Sequence, residues 1–176
     1  MVEGVTDKLA APRFPRYRPA TGTLTSDRSV TMTVEVRVLR SDDEAILASV
    51  APGVFDDPVV VSRAREFLRD PRHHLAVALD ESTVVGMASG VHYVHPDKEV
   101  PELWINEVGV APTHQGAGIG RRLIAALLAR AGEVGCLEAW VLTHPDNAAA
   151  CRMYEASGGV ANPQPIRMYA FTVGLE

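Results

Sequence analysis

The segment that most constrains the fold of this chain is a glycine-rich turn at residues 108–122, which joins a strand to a helix. It reads Val-Gly-Val-Ala-Pro-Thr-His-Gln-Gly-Ala-Gly-Ile-Gly-Arg-Arg. The apolar residues up to Val110 predict the end of a strand. Ile119, Leu123 and Leu127 recur at four-residue spacing and predict an amphipathic helix. A strand that passes so directly into a helix is typical of an α/β domain.

The same turn has the properties of an anion site. Its glycines allow positive φ angles and let a ligand approach the backbone without interference from Cβ atoms. The free N–H groups and the positive dipole end of the helix attract an anion, and Arg121 adds positive charge. The turn has neither the dinucleotide fingerprint nor the Lys-Ser/Thr ending of a P-loop. By itself it fits either an anion site or a ligand-free connection.

Periodicity, turn residues and caps predict the remaining elements. The predicted strands are at 34–39, 75–79, 84–94, 103–110, 138–142 and 167–173, and the predicted helices start at 41 and span 59–69, 119–131 and 147–156. The order β-α-α-β-β-β-α-β-α-β predicts an α/β domain with a mixed sheet at 32–176. Residues 1–31 contain Pro12, Pro15 and Pro19 without an apolar period, which predicts a flexible N-terminal tail.

Composition excludes several classes of function. A net charge of -5 and a pI near 5.7 argue against a nucleic-acid partner. The apolar runs are far shorter than the roughly 20 residues of a membrane-spanning helix, so no membrane association is expected. The two cysteines, Cys136 and Cys151, form neither a disulfide framework nor a zinc-binding pattern. We therefore expect a reducing, cytoplasmic setting and no metal, with Cys151 as a small core residue.

Three elements of the sequence together resemble one family, the GNAT superfamily of N-acetyltransferases. The matching positions are Gln115, Gly118 and Gly120 in the turn, Asn106 to Val110 in the strand before it, and Asn147, Ala150 and Tyr154 in the last predicted helix. The resemblance runs from Val34 to the C-terminus, about four-fifths of the chain. It implies a mixed central sheet with helices on both faces, splayed fourth and fifth strands, and acetyl-coenzyme A as the acetyl donor.

The resemblance also implies which residues bind the cofactor. The backbone amides that would hold the pyrophosphate belong to Gln115, Gly116, Ala117, Gly118, Ile119 and Gly120, with Arg121 beside them. Val108 and Val110 would pair with the pantetheine amides as an added strand does. Gly109 indicates either a close backbone approach or simple packing economy. Asn147 would bind the cofactor, cap its helix, or do both.

Two catalytic roles follow from the resemblance. Tyr154 would lie near the coenzyme sulfur and protonate the departing thiolate, the alternative being a core aromatic with a satisfied hydroxyl. Glu107 is the first candidate for the base that deprotonates the acceptor amine, because burial on this strand would raise its pKa. Glu102, His92 and an ordered water are the alternatives.

The acceptor is expected to be a small cationic amine. Asp56 and Asp57 lie in the loop that forms one wall of the acceptor groove in this family, and Glu102 is a further candidate contact. Asp97 and Glu99 would add attraction for a polyamine. Residues 101–110 and the Phe55-Asp56 loop resemble, more weakly, GNAT-type aminoglycoside 3-N-acetyltransferases. Trp104 would stack on a sugar ring, although a core aromatic is the simpler interpretation.

An aminoglycoside or another small polyamine is therefore the leading acceptor, with direct transfer in a ternary complex. The alternatives are a protein N-terminus or lysine as acceptor, and a non-catalytic module that binds acyl-coenzyme A. Domains of this family often pair, so a homodimer is also expected.

Overall fold

The computed structural model describes residues 33–164, 166 and 168–174. Its strands are β1 (Glu35–Val38), β2 (His73–Asp80), β3 (Thr83–Tyr93), β4 (Glu102–Val110) and β5 (Glu138–Val141). Its helices are α1 (Val61–Arg69), α2 (Ile119–Glu133) and α3 (Ala148–Ala156), with 3-10 helices at Glu44–Ala48 and Pro112–His114. The predicted tail at 1–31 lies outside the described residues.

Within the described residues the strands form one mixed sheet in the order β1-β2-β3-β4-β5. The first four strands pair antiparallel, with residues 39–72 and their helix α1 between β1 and β2, whereas β4 and β5 are parallel. A parallel pair needs a long crossover, and α2 supplies it. The predicted mixed sheet is confirmed.

Helices cover both faces of the sheet, as expected. A side chain at Gly86 would contact Ile119 and Leu123 of α2. On the opposite face, Phe67 of α1 stacks on His73 of β2, with the ring centroids 4.5 Å apart. We call these the α2 face and the α1 face.

An extra residue in β4 changes which side chains share a face. Glu107 is opposite Ser89 of β3, but Ile105 is opposite the very next residue, Gly90, so Asn106 has no partner on β3. Asn106 is therefore a β-bulge, and it reverses the alternation of side chains along the strand. As a result Glu107 and Trp104 both point to the α1 face. In a regular strand, residues three positions apart would point to opposite faces.

The fourth and fifth strands separate at this bulge. Glu102 to Ile105 pair with Glu138 to Val141, and Ile105–Val141 is the last pair. Residues 106–110 of β4 continue along β3 without β5 beside them. The predicted splay is confirmed, and among the described residues it leaves one edge of β4 open after Ile105.

The core lies mainly between the sheet and α2. The buried side chains of this helix are Ile119, Leu123, Ile124, Leu127 and Ala131. They face buried side chains on β2 and β3. Complete burial of a leucine contributes roughly 1.5–3 kcal/mol, so the predicted apolar stripe accounts for the attachment of α2. The N-terminus of α2, with its glycine turn, is thereby held against β3 and β4.

Two predicted elements differ from those observed. Residues 168–173 of the predicted last strand at 167–173 lie in no strand, and their side chains are exposed. Alternating residues favour a strand only where an edge pairs with them, and local sequence does not specify that edge. The helix expected from Ser41 is a 3-10 helix that starts at Glu44. Its N-terminus has no side-chain cap, because the Asp43 carboxylate accepts the N–H of Arg40 instead.

No helix in the described ranges is long and apolar enough to cross a membrane.

Candidate active site

The glycine turn before α2 has the geometry expected of an anion site. Gly116 and Gly118 have φ angles of +78° and +75°, a region that other residues rarely adopt. A Cβ atom at either position would meet nothing within 4 Å, so the space above the backbone is open. Gly118 is the N-cap of α2 and brings no side chain to its first N–H groups, which are left free for an anion.

Other residues of the turn have structural contacts. The side-chain amide of Gln115 donates to the Val110 carbonyl at 3.0 Å and ties the turn to the end of β4. Gly120 packs closely against Met153 of α3, whose flexible side chain would have to shift if a Cβ were present at Gly120. Arg121 is exposed at the start of α2, whereas Arg122 donates to the Val34 carbonyl at 2.7 Å. Ala117 is exposed, and Ile119 buries its side chain, so its backbone alone faces the turn.

The open edge of β4 runs toward this turn. Val108 and Val110 are half-buried and pair with Ala88 and Gly86 of β3 on their other side. Gly109 is required by the protein itself, because a Cβ there would collide with the Val54 carbonyl. Of the two expectations for this glycine, close approach is found, and the approaching group is the loop before α1.

Glu107 lies on the α1 face, where β4 and β5 separate. Burial raises the pKa of its carboxyl above the ordinary value, and the negative charge of Asp56 raises it further. The loop at 51–60 therefore brings Asp56 close to Glu107, although Asp56 and Asp57 are themselves exposed. This arrangement has the electrostatics of a general base with a pKa closer to neutrality.

The last matched pattern lies on α3. The Asn147 side-chain oxygen accepts the N–H of Ala150 at 3.1 Å, so Asn147 caps this helix. Tyr154 packs against the core while its hydroxyl has no hydrogen-bond partner among the described residues. Burial, and secondarily Cys151, raise the pKa of the phenol, which keeps it protonated at neutral pH. The Cys151 thiol lies 3.9 Å from the His144 carbonyl, to which it donates weakly.

Two alternatives for the base do not meet the requirement. Glu102 lies at the other end of β4, bound to Lys98 and to the Tyr93 hydroxyl, and these contacts keep its pKa below the ordinary value despite partial burial. His92 points to the α2 face, where its Nδ1 lies 2.8 Å from Nε2 of His74. It is therefore on the opposite side of the sheet from Glu107.

Trp104 is not a core residue. It is 37% exposed and stacks on Trp140 of β5, with centroids 5.6 Å apart and planes 14° from parallel. The indole N–H of Trp140 donates to the Tyr93 hydroxyl at 2.7 Å, and that hydroxyl donates to Glu102 at 3.0 Å. Trp140 and Tyr93 were not expected at the site. The two-residue spacing of Glu138 and Trp140 in β5 was the available signal, because it places both side chains on one face of the strand. The residues that lie beside them follow only from the register with β4.

The other carboxylates that were expected to attract or contact the acceptor lie apart from Glu107. Asp97 and Glu99 are exposed in the loop between β3 and β4, next to the end of β4 at which Glu102 lies. The structure thus brings Asp56 to Glu107 and leaves Glu102 with the aromatic residues at the far end of the strand.

Comparisons with known proteins agree with this geometry. An N-acetyltransferase of Mycobacterium tuberculosis without assigned function is 29% identical over 97 residues, which cover 55% of this chain and 59% of that protein. The N-alpha-acetyltransferase RimI of the same organism is 35% identical over 107 residues, covering 60% and 63%. The match thus spans less than two-thirds of the length of either relative.

Among solved structures, an aminoglycoside acetyltransferase from a soil metagenomic sample, in complex with sisomicin, superposes with a TM-score of 0.65. It is 21% identical, and the match covers 79% of this chain and 96% of that one. At this identity the likeness shows the fold. The model of the acetyltransferase (GNAT) family matches residues 42–159. The chain belongs to the GNAT family of acetyltransferases.

Proposed function

We propose that this chain transfers an acetyl group from acetyl-coenzyme A to a primary amine of a small, multiply charged acceptor, with an aminoglycoside as the leading case. The observation that carries the proposal is Glu107. Its half-buried carboxyl lies on the α1 face at the separation of β4 and β5, beside Asp56.

The chain's residues fit acetyl-coenzyme A as donor. The open, positive-φ turn at Gly116 and Gly118 and the free N–H groups of α2 suit the pyrophosphate. The unpaired edge of β4 at 106–110 suits the pantetheine amides, which would add to the sheet as a strand does. This path leads from the turn back to Glu107.

Three proton transfers accompany the reaction. The Glu107 carboxylate accepts a proton from the acceptor's ammonium group, which frees the nitrogen lone pair to attack the acetyl carbonyl carbon. The carbon–sulfur bond then breaks, and the Tyr154 phenol supplies a proton to the departing thiolate. The nitrogen, which still carries one proton too many after the attack, returns a proton to the Tyr154 phenolate and becomes the neutral amide. The raised pKa of Glu107 makes its carboxylate a stronger base, and the raised pKa of Tyr154 keeps the phenol protonated until the thiolate forms.

Two observations favour a small cationic acceptor. Asp56, Asp57, Asp97 and Glu99 place carboxylates on the exposed loops at both ends of the α1 face of β4. The chain also has the fold of an enzyme that was crystallised with sisomicin. The likeness to RimI supports a second candidate, the acetylation of a protein N-terminus. The homodimer and the cytoplasmic setting stay predictions.

A panel of amines assayed for coenzyme A release tests the proposal. Kanamycin, spermidine, free amino acids and N-terminal alanine peptides would be compared at equal acetyl-coenzyme A. We expect release with kanamycin or spermidine and little with peptides. Release with peptides alone would favour the RimI-like activity. Tight binding of the cofactor with background release on every amine would indicate a non-catalytic binding module and contradict the proposal.

A further inference from the structure

The stacked pair of Trp104 and Trp140 has no role in the reaction described above. The two side chains are in register across β4 and β5 and lie on the α1 face. They are 37% and 39% exposed, although indole rings are usually well buried. Two large aromatic rings left in contact with water beside a catalytic groove are typical of a binding surface.

The pair is held in position by hydrogen bonds and by an ion pair. Trp140 donates to the Tyr93 hydroxyl, which donates to Glu102, and Glu102 also binds Lys98. The imidazole of His95 lies 3.9 Å from the same carboxylate, and its ring contacts Tyr93 edge-on. An aromatic surface whose rings are already fixed loses little side-chain entropy when a ligand binds to it.

The pair is also continuous with the site of transfer. Trp104 and Trp140 come one pair before Ile105–Val141, after which β4 and β5 separate. The bulge at Asn106 turns Glu107 to the same face. Trp104 and Glu107 lie opposite Val91 and Ser89, which are two residues apart on β3, so they are about 7 Å apart along the sheet. A regular strand would have placed these two residues on opposite faces.

We propose that Trp104 and Trp140 bind the apolar face of a saturated ring of the acceptor, and thereby present an amine on the same or the next ring to Glu107. The inference rests on the proposed function. The occupant is a cationic, ring-bearing amine, because aromatic faces attract both sugar-like C–H surfaces and ammonium groups. Glu102 and Glu138, paired on this face, together with Asp97 and Glu99 nearby, attract the positive charge of such an acceptor.

The chain's own composition provides a direct probe. Trp104 and Trp140 are its only two tryptophans, so tryptophan emission reports on this pair alone. We expect a saturable change of emission when kanamycin is added without acetyl-coenzyme A, and a much smaller one with spermidine, which has no ring. No change at kanamycin concentrations that saturate turnover would overturn the proposal. An emission change that depends on protein concentration alone, and that blocks the kanamycin response, would show that a second copy covers the pair and would also overturn it.

Substitutions separate binding from chemistry. Trp104→Ala should raise KM for kanamycin by roughly tenfold, with kcat and KM for acetyl-coenzyme A changed by less than about twofold. Trp104→Phe should restore most of the affinity because it keeps an aromatic face, and it also controls for misfolding of the alanine variant. Leu137→Ala removes another exposed apolar side chain, 75% exposed just before β5, and should leave all three constants unchanged. An unchanged KM for kanamycin in Trp104→Ala would contradict the inference.

The two proposals fail in distinguishable ways. A saturable emission change with kanamycin but no coenzyme A release would support the binding surface and contradict acetyl transfer to this class of amine. Release of coenzyme A with kanamycin, together with unchanged emission, would support the transfer and contradict the role of the tryptophans.

Discussion

At the scale of single residues, Glu107 shows how position changes the chemistry of a carboxyl group. Glu102 and Glu107 lie on the same strand and the same face, yet their pKa values move in opposite directions. Lys98 stabilises the charged form of Glu102, whereas burial and Asp56 destabilise the charged form of Glu107. A base must hold its proton once it has accepted it, and only Glu107 is arranged to do so.

This contrast predicts the effect of Glu107→Gln. The amide cannot accept a proton from the ammonium group, so we expect kcat to fall by roughly 100-fold. In the unsubstituted chain, activity should increase as the pH rises through the pKa of Glu107, which lies above its ordinary 4.5, because only the ionised carboxyl acts as the base. A pH profile of kcat/KM measures this rise, and the variant should lack it.

Glu133→Gln is the matched control for this substitution. Glu133 ends α2, is 66% exposed and pairs with Arg130 on the surface, so its loss should leave the profile unchanged. If Glu107→Gln keeps the rise of kcat/KM with pH, the base is another group.

At the scale of elements, the glycine turn and α2 act as one unit. The apolar stripe of α2 attaches the helix to the sheet, and the turn then presents free N–H groups at a fixed place. At three glycines of the site, a side chain would be unfavourable for three different reasons. Gly118 is required by its φ angle and Gly109 by the backbone carbonyl of Val54, whereas a side chain at Gly120 would displace the side chain of Met153.

The first of these reasons predicts the effect of Gly118→Ala. An L-residue in the left-handed region costs roughly 1–2 kcal/mol, so the turn would relax to another conformation that binding must reverse. We expect KM for acetyl-coenzyme A to rise by roughly 5- to 30-fold, with KM for the amine unchanged. Initial rates at varied acetyl-coenzyme A measure this difference.

Gly132→Ala provides the control within the same helix. Gly132 has an ordinary helical backbone and open space where its Cβ would be, so alanine should stabilise α2 by roughly 0.5–1 kcal/mol without a kinetic effect. Equal kinetic effects of the two substitutions would contradict a specific role for the turn.

At the scale of the whole molecule, the buried His74, which is hydrogen-bonded to the half-buried His92, links stability to pH. His74 is 3% exposed between the sheet and α2. Burial, followed by the nearby charges of His92 and Arg130, lowers its pKa from 6.5 to about 4. The folded state therefore holds His74 neutral, and the unfolded state binds the extra proton between these two pH values.

This linkage predicts acid sensitivity above the carboxyl range. Because the unfolded state binds more protons, the free energy of unfolding should have its full value above pH 6.5 and decrease as the pH falls toward 4. The full decrease is about 3 kcal/mol. Urea titrations between pH 7 and pH 4.5 would measure it at a pH where the paired carboxyls still contribute.

Two substitutions check the assignment to His74. His74→Gln should reduce the pH dependence of the unfolding free energy in this window. His144→Gln changes a histidine whose side chain is 76% exposed, and should leave the dependence as it is. Equal slopes in all three proteins would contradict the assignment.

Most of the elements could be predicted from the sequence, because their signals are local. The apolar runs of β2 and β3, the stripe of α2 and the glycine turn depend only on neighbouring residues, and the observed bounds differ from the predicted ones by at most two positions. The cap at Asn147 is local as well. Strand pairing for 168–174 is not, because a strand needs an edge that lies elsewhere in the chain.

The sequence by itself determined the family, the glycine turn and the strand that leads to it. Only the tertiary structure decided which side chains meet. The bulge at Asn106 places Glu107 on the face of Trp104, and the register of β5 brings Trp140 against Trp104. The tertiary structure also places His92 on the opposite face of the sheet from Glu107, and it pairs Glu102 with Lys98. The physical reason is that the register between strands decides which face of the sheet a side chain points to and which residues it contacts. A single unpaired residue such as Asn106 reverses the face to which the following side chains point.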